Sequence, residues 1–255
     1  MNFFLNLYPL LKMTSTVLLA GGLAASGLAQ TLHVYGPGGP KGPFEACAEQ
    51  FSKQAGIKVV VTAGPESGWM AQALQDADLV YGGAEYMLTQ TSLAHPGFLD
   101  EATRVTLYAR ASGVLVRPGN PKKIRRLEDL AAPGVRLIDV NGAGQLGMWE
   151  DAAMTAELMN GIRRNIRLSV TSSADAVTQW KAHPEDFDAW FTFASWHDRL
   201  PEDTELAPLP ATQRVNRGTP VAITARTRQP KVARQFLAFL QSEAGHAIFK
   251  KWGWL

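Results

Sequence analysis

Past residue 30 the chain alternates between short apolar runs and longer amphipathic ones. Leu32-His33-Val34-Tyr35 predicts a strand, closed by Gly36-Pro37-Gly38-Gly39-Pro40. Phe44, Cys47, Ala48 and Phe51 then recur at i, i+3, i+4 and i+7, the spacing of one helix face, and Gly56 stands at the C-cap position. Val59-Val60-Val61 predicts a strand buried on both faces. Trp69 to Gln75 reads as a short helix and Leu79-Val80-Tyr81 as a third strand, ended by Gly82-Gly83. Strand and helix in this alternation predict βαβ units around a parallel sheet.

The middle of the chain repeats the theme. Ser112–Val116 is extended, Leu127–Leu130 makes a turn or two of helix, and Val135–Val140 is a strand. A helix from about Leu146 to Met159 follows, then a strand over Arg167–Thr171, a helix capped by Ser173 and running to Lys181, and a strand over Asp188–Phe193. Four prolines, Pro201, Pro208, Pro210 and Pro220, mark irregular connections before a last strand, Val221–Thr224. The C-terminal part is helical. Val232, Ala233, Phe236, Leu237 and Leu240 form one stripe, and Ala244, Ile248 and Trp252 face one way on a helix opened by Ser242-Glu243. Two α/β blocks followed by helices predict two lobes joined by chain crossings.

The first 29 residues follow neither pattern. They carry one charge, Lys12, then the apolar run Val17–Ala25 and the small residues of Gly27-Leu28-Ala29. A positive residue, a short apolar core and small residues before the cut are the marks of a secretory signal peptide. Removing those 29 residues and their single lysine from the 255-residue, +2 chain leaves 226 residues of net charge +1. That is room for two lobes of about 100 residues each, in a periplasmic or otherwise exported protein.

Composition removes several classes of function. Lys plus Arg number 25 against 23 Asp plus Glu with no dense basic block, which argues against nucleic acid as a partner. The single cysteine, Cys47, excludes an intramolecular disulfide and any multi-cysteine metal site. The five histidines form no His-Glu-x-x-His helix, and no Gly-x-Ser-x-Gly elbow occurs. No catalytic residues, metal ligands or cofactor are expected, and the chain reads as a non-enzyme.

Gly142-Ala143-Gly144-Gln145-Leu146-Gly147 matches G-x-G-x-x-G between a predicted strand and a predicted helix. A dinucleotide fold needs an acidic residue at the end of the next strand, and that strand ends Val170-Thr171-Ser172-Ser173. The physics that survives is local: glycines at a helix N-terminus expose N–H groups beside the positive end of the dipole and suit an anion. The device recurs at Gly36–Pro40, at Ser67-Gly68 and at Ser172-Ser173, always beyond a strand's C-terminal end, where ligands of open α/β sheets sit. Trp69, Trp149, Trp190 and Trp196 fall near these loops, and Arg214 and Arg217 are candidate cations.

Five segments resemble the accessory colonisation factor C (AcfC) proteins, relatives of the periplasmic molybdate- and sulfate-binding proteins. They are Leu32–Pro40, Val61–Pro65 with Trp69, Asp76–Val80, Gly142-Ala143-Gly144 with Trp149-Glu150-Asp151, and Ile248–Trp254. The resemblance implies an α/β type II periplasmic binding fold: two lobes, a ligand cleft, and two crossing strands near Ala111–Val116 and Pro220–Thr224. Lobe I would comprise residues 30–110 plus 225–255, and lobe II residues 111–224. It also implies a ligand-binding set. Gly38, Gly39, Ser67 and Gly83 would come from lobe I. Gly142, Ala143, Gly144, Gln145, Ser172, Ser173, Thr192 and Arg217 would come from lobe II and its return. Some relatives carry a serine- and threonine-rich insertion after Gly-Ala-Gly; here Gln145-Leu146-Gly147 runs straight into Met148-Trp149, which removes hydroxyl donors.

The implied function is capture of a small oxyanion or a carboxylate or phosphate metabolite, with an ABC-type membrane component as partner. The alternative is a colonisation factor or adhesin on the same scaffold. Dimeric surface proteins among the relatives imply a homodimer.

Overall fold

A computed structural model describes Met1 and residues 31–255; the leader expected over residues 1–29 lies, but for Met1, outside the described residues. The chain runs β1 (Thr31–Gly36), α1 (Lys41–Ala55), β2 (Lys58–Ala63), α2 (Met70–Asp76), β3 (Leu79–Tyr81) and α3 (Glu85–Ala94). Next come β4 (Val105–Val116), α4 (Leu127–Leu130), β5 (Leu137–Val140), α5 (Met148–Ala153), α6 (Ala156–Asn165), β6 (Ile166–Val170), α7 (Ser173–Ala182), β7 (Ala189–Phe193) and the two-residue β8 (Glu205–Leu206). The chain closes with β9 (Asn216–Ile223), α8 (Pro230–Gln241) and α9 (Glu243–Lys251).

The strands lie in the order β2-β1-β3-β9-β4-β7-β5-β6, with β8 beside β4. Within each lobe consecutive strands are parallel: β1 lies between β2 and β3, and β5 between β6 and β7. The expectation of parallel pairing fails at β8, which runs antiparallel to β4, and at the crossing. There β4 and β9 run antiparallel to each other, and β9 runs antiparallel to β3 and β4 to β7. Val105 to Ala111 of β4 pairs with β9, and Ser112 to Val116 pairs with β7. One strand thus belongs to both lobes.

Both crossing strands are longer than the sequence pattern suggests. Pro220 reads as a break, yet it sits inside β9 opposite Thr106, where the ladder shifts register before Ala109. An irregular ladder position is where a proline costs least.

Helix α1 buries the expected face, Phe44, Cys47, Ala48 and Phe51, against Phe236, Leu240 and Phe249 of the returning α8 and α9. Gly56 ends it at φ 68°, with its N–H bonded to the Ser52 carbonyl. Cys47 is sealed in this core, and burial pushes its thiol up to about 12, which makes it a packing residue and not a nucleophile. The second lobe packs Trp149, Ile162 and Phe191 around Leu127, Leu130 and Val135.

Several local expectations need correction. Strand β2 is the sheet edge and only half-buried, because no strand among the described residues pairs with its outer side. The helix expected over Leu146–Met159 is two helices. Met154 takes φ 58° and Thr155 caps α6 by accepting from the Leu158 N–H. The cap of α7 is Ser172, not Ser173. On α9 the inward face is Gly245, Ile248 and Phe249, while Ala244 and Trp252 are exposed. Helix α3 has no apolar period to announce it, since only Leu88 and Thr91 are buried.

Candidate functional site

Four strand ends meet between the lobes. β1 ends at Gly36, where a Cβ would lie 2.5 Å from the Tyr81 ring. Tyr81 stacks on Phe44 at 3.9 Å and donates to the Pro37 carbonyl. These contacts hold the loop Pro37–Pro40 that leads into α1. β2 ends in Gly64-Pro65 and a single 3-10 turn, Glu66–Gly68, pinned by the Trp69 indole N–H on the Gly64 carbonyl at 3.1 Å.

In lobe II, β5 runs into Asn141 and the turn Gly142-Ala143-Gly144. The Gln145 N–H closes that turn on the Gly142 carbonyl at 2.7 Å. Ala143 and Gly144 take φ 49° and 88°. The helix expected to open here starts only at Met148, so this turn offers its own N–H groups but no helix dipole of its own. β6 ends at Val170, after which the Ser172 side chain caps α7 on the Asp175 N–H at 3.1 Å.

The cleft enclosed by these ends has a volume of about 700 Å³. Lobe I lines it with Pro37, Gly38, Gly39, Gly64, Pro65, Glu66 and Ser67, and with Tyr86, Met87 and Gln90 of α3. Lobe II adds Asn141, Gly142, Ala143, Leu146, the segment 171–175 and Trp196. Among the described residues, none accepts a hydrogen bond from the backbone N–H of Gly38, Gly39, Ser67, Gly142, Ala143 or Ser172. Tyr86 accepts from the Gly144 N–H at 3.1 Å. Burial raises its phenol, so the Tyr86 hydroxyl keeps its proton.

Seven of the twelve expected ligand residues line this cleft: Gly38, Gly39, Ser67, Gly142, Ala143, Ser172 and Ser173. Five do not. Gly83 and Gly144 face each other across the lobes, so close that a Cβ on Gly144 would sit 2.6 Å from the Gly83 backbone. Gln145 is buried and donates its amide to the Ser173 hydroxyl at 2.8 Å. Thr192 is fully buried in β7. Arg217 is ion-paired with Asp151, and Arg214 donates to the Leu209 carbonyl. Of the four candidate tryptophans only Trp196 reaches the cleft; Trp69, Trp149 and Trp190 are buried.

Two cations escaped the sequence reading. Arg110 of β4 is 1% exposed and donates to the Gly83 carbonyl at 2.9 Å. Arg199 donates to the Gly39 carbonyl at 2.8 Å. Burial, then the like charge of Arg199, lowers the Arg110 guanidinium to about 9. Nothing in the sequence marks either arginine, because both act from elements that only the fold brings under the Gly39 loop.

The lining holds hydroxyls but no histidine, lysine or cysteine. Its carboxylates are Glu66 and Asp175; Asp175 accepts from the Ser172 hydroxyl at 2.7 Å, and that hydroxyl is already engaged as the cap of α7, so the lining suits a solute held by hydrogen bonds.

Residues 32–255 match a family described as bacterial extracellular solute-binding protein. The chain belongs to this family. It is an exported binding protein with the two-lobed α/β architecture of the type II periplasmic binding proteins, and it is not an enzyme. It is similar to PEB3 of Campylobacter jejuni, with 29% identity, a TM-score of 0.78, and coverage of 88% of this chain and 98% of that one. PEB3 bound to L-phospholactate superposes at a TM-score of 0.80, with the same identity and coverage. The molybdate-binding protein ModA of Mycobacterium tuberculosis is 28% identical over 232 residues, 88% of this chain and 84% of that protein. Its sulfate-binding protein SubI shares the fold at a TM-score of 0.71, 18% identity, and coverage of 88% and 86%.

Proposed function

We propose that this solute-binding protein captures a small oxyanion-bearing solute and hands it to an ABC-type membrane component. The observation that carries this reading is the set of backbone N–H groups on both walls of one cleft that have no acceptor among the described residues. Such groups replace an anion's hydration shell without needing a paired cation. The contacts on lobe I are Gly38, Gly39 and Ser67, and those on lobe II are Gly142, Ala143, Ser172 and Ser173. Residues 30–110 with 225–255 and residues 111–224 are the two bodies that close on the ligand, hinged on β4 and β9.

The volume, about 700 Å³, and the Tyr86, Met87, Leu146 and Trp196 side chains favour an organic anion over a bare tetrahedral ion. The relatives named for L-phospholactate, sulfate and molybdate support the chemical class. The five landmark segments support reading the chain as an AcfC-type binding protein. Calorimetry against phospholactate, 3-phosphoglycerate, citrate, sulfate and molybdate tests the proposal. Binding of at least one is expected, and silence across the panel overturns it. Native mass spectrometry of the same sample reads any co-purified ligand and any homodimer.

A further inference from the structure

Behind the Gly38-Gly39 loop of the cleft stand two guanidinium groups with no ion-pair partner among the described residues, while the cleft's own lining carries the carboxylates Glu66 and Asp175. Arg110 sits where β4 crosses between the lobes, opposite Arg217 of β9. Its guanidinium lies 3.7 Å from the centre of the Phe193 ring and 4.9 Å from that of Trp254. One nitrogen reaches the Gly83 carbonyl, and Nε is buried without a partner. Among the described residues no carboxylate pairs with it. The charged and titratable groups that act on it are Arg199 and Tyr81. Arg199 stands beside it against Trp196 and Trp252, with exposed Asp198 and Tyr81 acting on it in turn. A lone buried charge of this kind is costly, and ring faces recover only part of that cost.

The placement is specific. A Cβ on Gly39 would lie 3.0 Å from the Arg110 terminal nitrogen, and the Gly39 carbonyl is held by Arg199. Both guanidinium groups therefore sit directly behind the loop whose free N–H groups line the cleft. Gly83, the acceptor for Arg110, touches the Ala143-Gly144 turn of the other wall.

Resting on the reading of the cleft as an anion site, we propose that the Arg110–Arg199 pair behind the Gly38-Gly39 loop sets the charge class of the ligand. The cleft selects solutes with two or more negative charges and seats their most highly charged group at that loop. The arginines act through the field and through the loop they hold, as positioning residues, while the backbone N–H groups make the contacts.

The test uses the variants Arg110→Met, Arg110→Lys and Arg199→Met, titrated with phospholactate and sulfate and with the singly charged lactate and perchlorate. Apo melting is followed in parallel. Coulomb's law at ~8 Å in an effective dielectric of about 20 makes the expected loss in Arg110→Met about 30-fold for each ligand charge. Phospholactate and sulfate should weaken most, lactate and perchlorate least, and Arg110→Lys should restore most of the affinity. Wild-type binding with no loss in Arg110→Met, or an equal loss on all four probes, overturns the inference and leaves the anion site standing. Failure of the wild type to bind any probe overturns both. If Arg110→Met does not fold, Arg199→Met decides by the same charge dependence.

Discussion

The two walls of the cleft are built from opposite materials. The lobe I wall is centred on a loop with almost no side chains, Gly38-Gly39, laid over the buried Arg110 and the half-buried Arg199, and flanked by Tyr86, Met87 and Gln90. The lobe II wall is a tight turn and a serine cap, tied together by the Gln145 amide on Ser173. Behind it lie partly buried carboxylates, Asp139 of β5 and Glu150 of α5, both raised first by burial and Glu150 also by the charge of Asp139. One wall thus brings positive potential from within, and the other brings hydrogen-bond donors with partly buried carboxylates behind them and the exposed Asp175 at its surface. A ligand bridging both walls would take its charge preference from the first and its geometry from the second.

The strongest way to break this pairing is to keep the walls apart. Gly144→Ala puts a Cβ 2.6 Å from the Gly83 backbone at a φ of 88°. Binding should be lost in calorimetry, with about 1–3 kcal/mol of stability lost to strain in denaturant melts. Unchanged affinity would mean that the lobes do not need this contact. Ser173→Ala attacks the second wall alone. It leaves the buried Gln145 amide without its acceptor, at a cost of about 1–3 kcal/mol, read by urea unfolding, together with weaker ligand binding.

Asp139→Asn sharpens the electrostatic half of the comparison. Folded Asp139 holds its proton to higher pH than the unfolded chain does. The native state therefore loses stability as pH rises from the ordinary carboxylate range through the raised folded value, and the penalty is complete above that value. The asparagine can still accept from Ser169, which now donates to Asp139 at 2.7 Å. Its melting temperature should exceed that of the wild type at neutral pH, and the gain should vanish at a pH where the aspartate is protonated. Gly38→Ala is the mildest change. Nothing lies within 4 Å of the added Cβ, so stability should stay within about 0.5 kcal/mol of wild type. Ligand affinity alone should drop, as titration would show. A stability loss without an affinity loss would remove Gly38 from the ligand wall.

Much of the scaffold was legible in order along the chain. The α1 stripe of Phe44, Cys47 and Phe51, the Gly56 cap and the short run Leu79–Tyr81 each carry a local period or a single conformational need. Helix α3 carried neither, so Tyr86, Met87 and Gln90 were missed as cleft residues. The pattern G-x-G-x-x-G named the right turn and the wrong device, because Gly147 in the left-handed region delays the helix to Met148. Arg217 looked like the free cation of the return strand, and the fold spends it on Asp151.

What the sequence determined by itself was the alternation of strands and helices, and the placing of glycine and serine beyond strand ends. These depend on neighbours a few residues away, and periodicity and capping record such neighbours directly. Only the tertiary structure decided which loops face one another, that β4 serves both lobes, and that Arg110 and Arg199 stand behind Gly39 from 71 and 160 positions along the chain. Burial and electrostatic field depend on distance in space, and no local pattern encodes them.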